Sequence, residues 1–290
     1  MASAPTVSVI TISFNDLDGL KRTVESVRSQ RYEGQIEHII IDGGSGEGVV
    51  EYLSGCEPGF AYWQSQPDNG RYDAMNQGIA HASGDLLWFM HSTDRFSDPD
   101  AVASVIEAIA RQGSVREVWG YGKNNLVGPD GSVLFPRPYG YMPFKIRKFL
   151  LGATVAHQAT FFGAALVEKL GSYDLDFGLE ADQLFIYRAA MLRAPITIDR
   201  VVCDFDMTGP GSTQPIREHY RTLRRMWDMY GYYPLGGRRR SWAYLRVKEY
   251  AIRADLAAFN AVKALRGKLA NRGRAGAAST QGETSVAQAG

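Results

Sequence analysis

The chain opens on an uncharged, β-branched run, Val7–Ser13 (VSVITIS), whose length and composition predict a strand buried on both faces. Asn15 and Asp16 follow and can cap a helix through LDGLKRTVESVRSQ, in which Leu20, Val24 and Val27 fall on one side. Residues 36–41 repeat the strand pattern and stop at Asp42-Gly43-Gly44-Ser45, a turn that opens a short helix near 49–53. Residues 60–64 are a third expected strand, 70–81 a helix and 85–90 a fourth strand. Asp98-Pro99 then begins a helix reaching about Arg111. Strands and helices alternating at this spacing predict a mainly parallel sheet with crossover helices, an α/β sandwich.

In such sheets ligands sit beyond the carboxyl ends of the strands. Three expected strands end in polar clusters, Ser13-Phe14-Asn15, Asp42-Gly43-Gly44 and His91-Ser92-Thr93-Asp94, which should converge on one edge. The second half is less regular. Residues 116–140 read as short strands and turns, with a hairpin signal at GPDGS, and 143–151 as a short helix. HQATFFG reads as a strand, 179–192 as a helix, and 196–207 as a poorly alternating strand before the loop TGPGSTQP. Basic helical stretches follow at about 216–230 and 240–269, and the low-complexity end, 273–290, is expected to be disordered.

Composition narrows this little. A chain of 290 residues, 45% hydrophobic and 22% charged, supports one large α/β domain or two modest ones. Cys56 and Cys203 lie far apart and outside any CxxC pattern, so neither a disulfide framework nor a zinc site is expected, and a reducing cytosol fits. No basic leader precedes the first strand, and no run nears the roughly 18 apolar residues of a membrane span. Charge changes the picture more. Residues 1–216 hold 17 Lys and Arg against 26 Asp and Glu, whereas 217–274 hold 15 against 4. An anionic surface is therefore expected to meet the C-terminal segment rather than the body.

Several side chains can do chemistry. Asp42, at a strand end before two glycines, suits either a ligand contact or a turn. Asp94 ends a hydrophobic strand and can hold a hard divalent cation, which often takes one or two protein oxygens and the rest from phosphates and water. It can equally cap the helix after Asp98. Asp73 and Asn76 are three apart and share a helix side with Asp68 and Arg71 nearby, as any amphipathic helix allows. Glu180 and Asp182 stand where a helix begins and its dipole keeps carboxylates ionised, which suits a general base or a cap. His157 can be a ligand, a sugar contact or a core histidine. No GxxxxGK[ST] loop, GxGxxG turn or GxSxG elbow occurs, which disfavours P-loop kinases, dinucleotide oxidoreductases and α/β-hydrolases.

Taken together, VSVITISFND, IIIDGGSGEG, PDNGRYDAMNQGIAHASGDLLWFMHSTD, HQATFF, FGLEADQLFIYR and GPGST, in that order, resemble the family 2 glycosyltransferases over about residues 7–212. The third block, YDAMN-x-G with its flanks, is the most specific and is similar to one bacterial branch. The resemblance implies a GT-A (nucleotide-diphospho-sugar transferase) fold, a Rossmann-like α/β/α sandwich with a mainly parallel central sheet, plus C-terminal helices. It implies a catalytic domain over 1–215, with a nucleotide-sugar half at about 1–98 and an acceptor half at about 99–215, then a basic extension over 216–272. Carried onto matching positions, it implies that Ser13, Asn15, Asp42 and Gly43 meet base and ribose, and that Asp68, Gly70, Asp73 and Asn76 line the donor pocket. It implies that Ser92 and Asp94 form the DxD-type motif, with Asp94 binding Mn²⁺ or Mg²⁺; Thr93 departs from relatives that carry an acid there. Asp182 would be the base of an inverting reaction, with His157, Gln158 and Glu180 near sugar or acceptor.

The activity so implied moves sugar from a UDP- or GDP-linked donor to a hydroxyl of a glycan or lipid-linked acceptor in cell-envelope synthesis. Transfer to a polyprenyl phosphate, and a non-catalytic nucleotide-sugar-binding protein, are the alternatives. In the basic end, Trp242, Leu245, Ile252 and Leu256 recur at near-helical spacing, flanked by cations from Arg238 onward. Residues 238–269 therefore suit an amphipathic helix on anionic lipid or one packed on protein. No nucleic-acid motif accompanies the charge. The expected location is cytoplasmic, peripheral on the inner face of the cell membrane.

Overall fold

All seven residues of β1 (Val7–Ser13) are buried, the environment a central parallel strand requires. In the computed structural model, which describes residues 3–207, 215–255 and 257, β1 pairs in parallel with β2 (Ile36–Asp42) and β4 (Leu86–Phe89). β2 pairs in parallel with β3 (Tyr62–Ser65). Between them run α1 (Leu17–Arg28), α2 (Glu47–Ser54) and α3 (Arg71–His81). Asp16 caps α1 by accepting the Gly19 N–H.

The chain continues through β5 (Arg95–Phe96), α4 (Ala101–Ala110), β6 (Trp119–Val127), α5 (Ile146–Leu150), β7 (Thr160–Gly163), α6 (Ala164–Leu170), α7 (Ala181–Leu192) and β8 (Ile196–Asp206). The sheet order is β3-β2-β1-β4-β7-β6-β8-β5. β7 is antiparallel to both β4 and β6, while β6 and β8 are parallel and β5 is antiparallel to β8. The reversal at β7 leaves β6 pointing the same way as β1. The carboxyl ends of β1, β2, β4 and β6 therefore share one edge.

Three expectations shift. The short strands expected over 116–140 include one nine-residue strand, β6. His157–Ala159 is a tight turn before β7 rather than part of it. α7 begins at Ala181, not 179, because Gly178 sits at φ 87° and Glu180 takes the N-cap place. β8 alternates poorly because its register with β6 slips on either side of Lys123.

Alternation along β1 sends Val7 and Val9 into one core with Trp88, Phe161 and, from α4, Val102 and Val105. Leu20 and Val24 of α1 pack with Ile40 and the α2 residues Val49 and Leu53. On the other side Phe89 meets Phe162 and Tyr173, and Tyr173 stacks on Phe185 of α7 at 4.3 Å. The sheet is thus a middle layer between two helical ones, and each aromatic or branched side chain so buried contributes about 2 kcal/mol.

Contacts divide the chain into two units, Met1–Gln214 and Pro215–Gly290. In the second, α8 (Ile216–Tyr230) buries Tyr220, Leu223, Met226 and Trp227, and residues 238–255 form another helix. Arg224 and Glu249 join the two at 3.3 Å. Leu245, on the apolar side expected to face lipid or protein, is buried, whereas Val247 and Tyr250 are exposed. The rest of the expected 240–269 helix, the GPGST block and the tail over 273–290 lie outside the described residues, apart from residue 257. Among the described residues no helix is long and apolar enough to cross a membrane.

Candidate active site

The polar tips of β1, β2 and β4 are joined through their backbones. Ser13 lies opposite Asp42 in the β1–β2 register, and the Gly43 N–H donates to the Ser13 carbonyl at 2.9 Å. The Asn15 N–H donates to Ser45 Oγ at 2.7 Å, and the Ser92 N–H to the Ile12 carbonyl at 3.0 Å. Ser13, Asn15, Asp42, Gly43, Ser92 and Asp94 therefore gather at one edge, as the strand pattern predicts.

Asp42 is fully buried, and its carboxylate accepts from the Gly44 N–H (3.1 Å), the Ser45 N–H (2.8 Å) and the Ser45 (2.5 Å) and Ser65 (2.6 Å) hydroxyls. These bonds lock the β2 turn and join it to β3. Beside them is an open depression of about 570 Å³ lined by Gly44, Gly46, Glu47, Val50, Glu51 and Ser65. Asp68 reaches the same turn. A Cβ at Gly43 would lie 3.1 Å from Asp68 Oδ2, so a larger residue there would press the carboxylate back by a few tenths of an ångström. Asp68 Oδ1 accepts from the Gly70 N–H at 2.7 Å, and Gly70, at φ 99°, turns the chain into α3.

α3 carries the densest part of the site. Asp73 accepts from the Asn69 N–H at 2.9 Å. Asn76 is engaged at both ends of its amide. Its Nδ2 donates to the Tyr173 carbonyl (3.1 Å) and its Oδ1 accepts the Tyr173 N–H (2.7 Å), which ties α3 to the chain before α7. The Tyr72 hydroxyl donates to the Leu179 carbonyl at 2.6 Å and lies 3.2 Å from Asp182 Oδ1. Burial, then the Asp182 charge, pushes the Tyr72 phenol up, so it stays a proton donor. Asp182, half-buried at the start of α7, also accepts the Gln183 N–H at 2.8 Å. Glu180 is buried beside it at the N-cap.

Asp94 is buried, and its Oδ1 accepts the Asp206 N–H at 3.0 Å. Burial pushes its pKa up to about 8, and the neighbouring Asp206 carboxylate adds to this; a Gln158 side-chain hydrogen bond and the Arg71 charge oppose it. Thr93 before it stands at φ 79°, a strained place for a β-branched residue. The Thr23 hydroxyl of α1 lies 3.1 and 2.8 Å from the His91 and Asp94 carbonyls and holds this turn from behind. His157 is buried with its Nε2 2.7 Å from the Tyr173 hydroxyl. Desolvation pushes its pKa down to about 4.

Tyr72, Thr23, Tyr173 and Asp206 were not among the candidates drawn from sequence, and Arg71 was named there without a role. Tyr72 lies in the PDNGRYDAMNQG block, and the partners of its hydroxyl, Leu179 and Asp182, are more than a hundred residues away. Asp94 and Asp206 are both buried and act on one another electrostatically, and a carboxylate pair of this kind fits a hard divalent cation completed by phosphate and water; among the described residues no group of three His, Cys, Asp or Glu gathers to hold a metal alone.

The model of the family described as glycosyl transferase family 2 matches residues 8–170. An uncharacterized glycosyltransferase of Mycobacterium tuberculosis is 64% identical over 251 residues, 86% of this chain and 94% of the relative. This chain belongs to glycosyl transferase family 2. A second family relative, the PGL/p-HBAD biosynthesis glycosyltransferase of Mycobacterium tuberculosis, is 26% identical over 198 residues, 67% of this chain and 73% of that protein. The Pyrobaculum calidifontis mannosyltransferase PcManGT, solved with GDP-Man and Mn²⁺, superposes with a TM-score of 0.60 at 18% identity, covering 91% of this chain and 76% of that one. Staphylococcus aureus TarS 1–349 with UDP-GlcNAc gives 0.57 at 15%, covering 76% and 65%. This chain spans only 39% of a longer TarS structure. At these identities the structures establish the fold, the GT-A α/β/α sandwich of a family 2 glycosyltransferase.

Proposed function

We propose that this family 2 enzyme transfers a sugar, with inversion, from a UDP- or GDP-linked donor to a hydroxyl of a glycan or lipid-linked acceptor in envelope synthesis. The observation that carries this reading is the Asp182 carboxylate set against the Tyr72 hydroxyl (3.2 Å), on the helix that rises from the donor-side turn at Asp68 and Gly70.

In this reading Ser13, Asn15 and Gly43 meet the nucleoside, and Asp42 shapes that turn from within. Asp68, Gly70 and Asp73 border the donor, while Asn76 positions Tyr173. Ser92, Asp94 and Asp206 hold Mn²⁺ or Mg²⁺. When bound, the cation neutralises charge developing on the leaving diphosphate. Asp182 takes the acceptor hydroxyl proton as that oxygen bonds to the anomeric carbon and the bond to the diphosphate breaks on the opposite side. Tyr72 orients the Asp182 carboxylate. Neutral His157 and Gln158 stand near sugar or acceptor, with Glu180 beside the base. Arg71, whose charge acts on Asp94 and His157, adds positive potential for the diphosphate. The exposed Val247 and Tyr250, with Arg246 and Arg253, support an anionic membrane as partner of residues 238–269.

Asp182→Asn tests the assignment. Donor binding, read as a thermal shift with UDP- and GDP-sugars and Mn²⁺, is expected to persist while transfer falls by about 10³-fold. Transfer at the parent rate would remove Asp182 from the role of base.

A further inference from the structure

β6 runs on where its partner β7 has ended. Val9 of β1 lies opposite Trp88, Trp88 opposite Phe161, and Phe161 opposite Gly120 of β6. From that common level β1 stops at Ser13 and β6 continues to Val127. At about 3.3 Å per residue, β6 projects roughly 10 Å past the edge that gathers Ser13, Asp42 and Asp94. The chain then folds back as a hairpin. The Gly128 N–H donates to the Ser132 carbonyl (3.0 Å) and the Leu134 N–H to the Leu126 carbonyl (2.9 Å), and Asn124 and Tyr139 exchange both backbone bonds (3.0 and 2.7 Å).

This pinned structure holds apolar side chains out in water. Val133, Leu134 and Phe135 are consecutive and 54%, 47% and 53% exposed, with Tyr139 a further exposed ring. Three successive large apolar side chains on a surface mark an interaction site. The charge beside them has one sign. From Gly131 to Val167 the sequence has no Asp or Glu but contains Arg137, Lys145, Arg147 and Lys148. All four cations are exposed, and among the described residues no salt bridge engages them. α5 buries Phe149 and Leu150, leaving Arg147 and Lys148 outward. Asp199 is already paired with Lys123, whose backbone abuts the hairpin's Gly140.

We propose that this hairpin and the adjoining turn of α5 form a docking surface for an anionic phospholipid bilayer. Val133, Leu134 and Phe135 enter the boundary between headgroups and acyl chains, and the four cations meet lipid phosphates. The surface belongs to the catalytic unit and is distinct from the basic C-terminal segment. Resting on the transferase reading above, it would hold the acceptor-binding edge against a membrane that carries the acceptor.

Full-length protein, without sugar nucleotide, is mixed with vesicles of phosphatidylglycerol and phosphatidylcholine and separated by flotation. Leu134→Ser/Phe135→Ser is expected to weaken partitioning about tenfold, and K145Q/R147Q by a similar factor with loss of its salt sensitivity. Both should leave the melting temperature and nucleotide-sugar binding unchanged. Arg238→Gln/Arg239→Gln/Arg240→Gln, tested in parallel, should have the smaller effect. Parent protein that ignores anionic vesicles, or partitioning unaltered in both hairpin-side variants, overturns the proposal. So does a dimer that the Leu134/Phe135 exchange dissociates without changing partitioning. Because no donor is present, any of these results leaves the transferase reading intact.

Discussion

The side chains expected to touch a ligand divide according to what already satisfies them. Asp42 accepts three hydrogen bonds inside its own turn and a fourth from Ser65 of β3, while Asn76 donates one bond to Tyr173 and accepts one from it, so both side chains are already engaged in fixing backbone. Spacing along the chain put both at the site but left the partner undetermined, since a turn carboxylate and a ribose-binding carboxylate have the same local sequence. Asp182 differs. It is half-buried, and its hydrogen bond from outside its own helix comes from Tyr72. Tyr72→Phe removes that donor and the bond to Leu179. It is expected to cost about 1 kcal/mol in urea unfolding and about tenfold in kcat by misorienting the base. The donor Kd should stay unchanged, and a change in Kd with kcat intact would show that Tyr72 serves the donor instead.

At the scale of elements, the first half was legible because each helix and strand carries its own period. β1, α1, β2 and α3 all fall where apolar spacing puts them. The half after α4 was less so, for three physical reasons. β5 is two residues long, too short for any period. β8 slips register against β6, which breaks its alternation. β7 joins β4 to β6 antiparallel, a pairing that no local pattern encodes. The α3 contact with the chain before α7 adds to the β4–β7 pairing in joining the two halves. Asn76→Ala deletes both bonds to Tyr173 and leaves two backbone groups unmatched, an expected loss of about 2–3 kcal/mol in denaturant unfolding. It should also lower activity by loosening Tyr72 and Asp182 together. A variant as stable as the parent would mean that the stacked rings of Tyr72, Tyr173 and Phe185 hold the junction alone.

For the whole molecule, buried titratable groups set opposing limits on stability. Desolvation holds His38 down to about 3 and His157 to about 4, and places His91 well below 6.5. Each of these rings takes its proton more readily in the unfolded chain. Below pH 6.5 each therefore favours unfolding, by about 1.4 kcal/mol per pH unit until its folded pKa is reached. Asp94 acts in reverse. Its folded pKa of about 8 lies above the ordinary 3.8, so from about pH 4 to 8 the folded chain holds a proton that the unfolded chain has released, and stability falls by about 1.4 kcal/mol per pH unit. Without metal, stability should rise to a maximum near pH 6.5, where the three rings are neutral, and decline toward pH 8, because the unfolded chain has given up the Asp94 proton that the folded state still holds. A divalent cation at Asp94 and Asp206 reverses only the alkaline side, because it favours the carboxylate that burial disfavours. Melting curves at pH 5, 6.5 and 8 with and without Mn²⁺ are expected to show the metal raising Tm most at pH 8. Asp94→Asn should flatten the alkaline decline and abolish the response to Mn²⁺. If Mn²⁺ stabilises Asp94→Asn as much as the parent, the cation binds elsewhere and the charge deficit at the β4 tip has another partner.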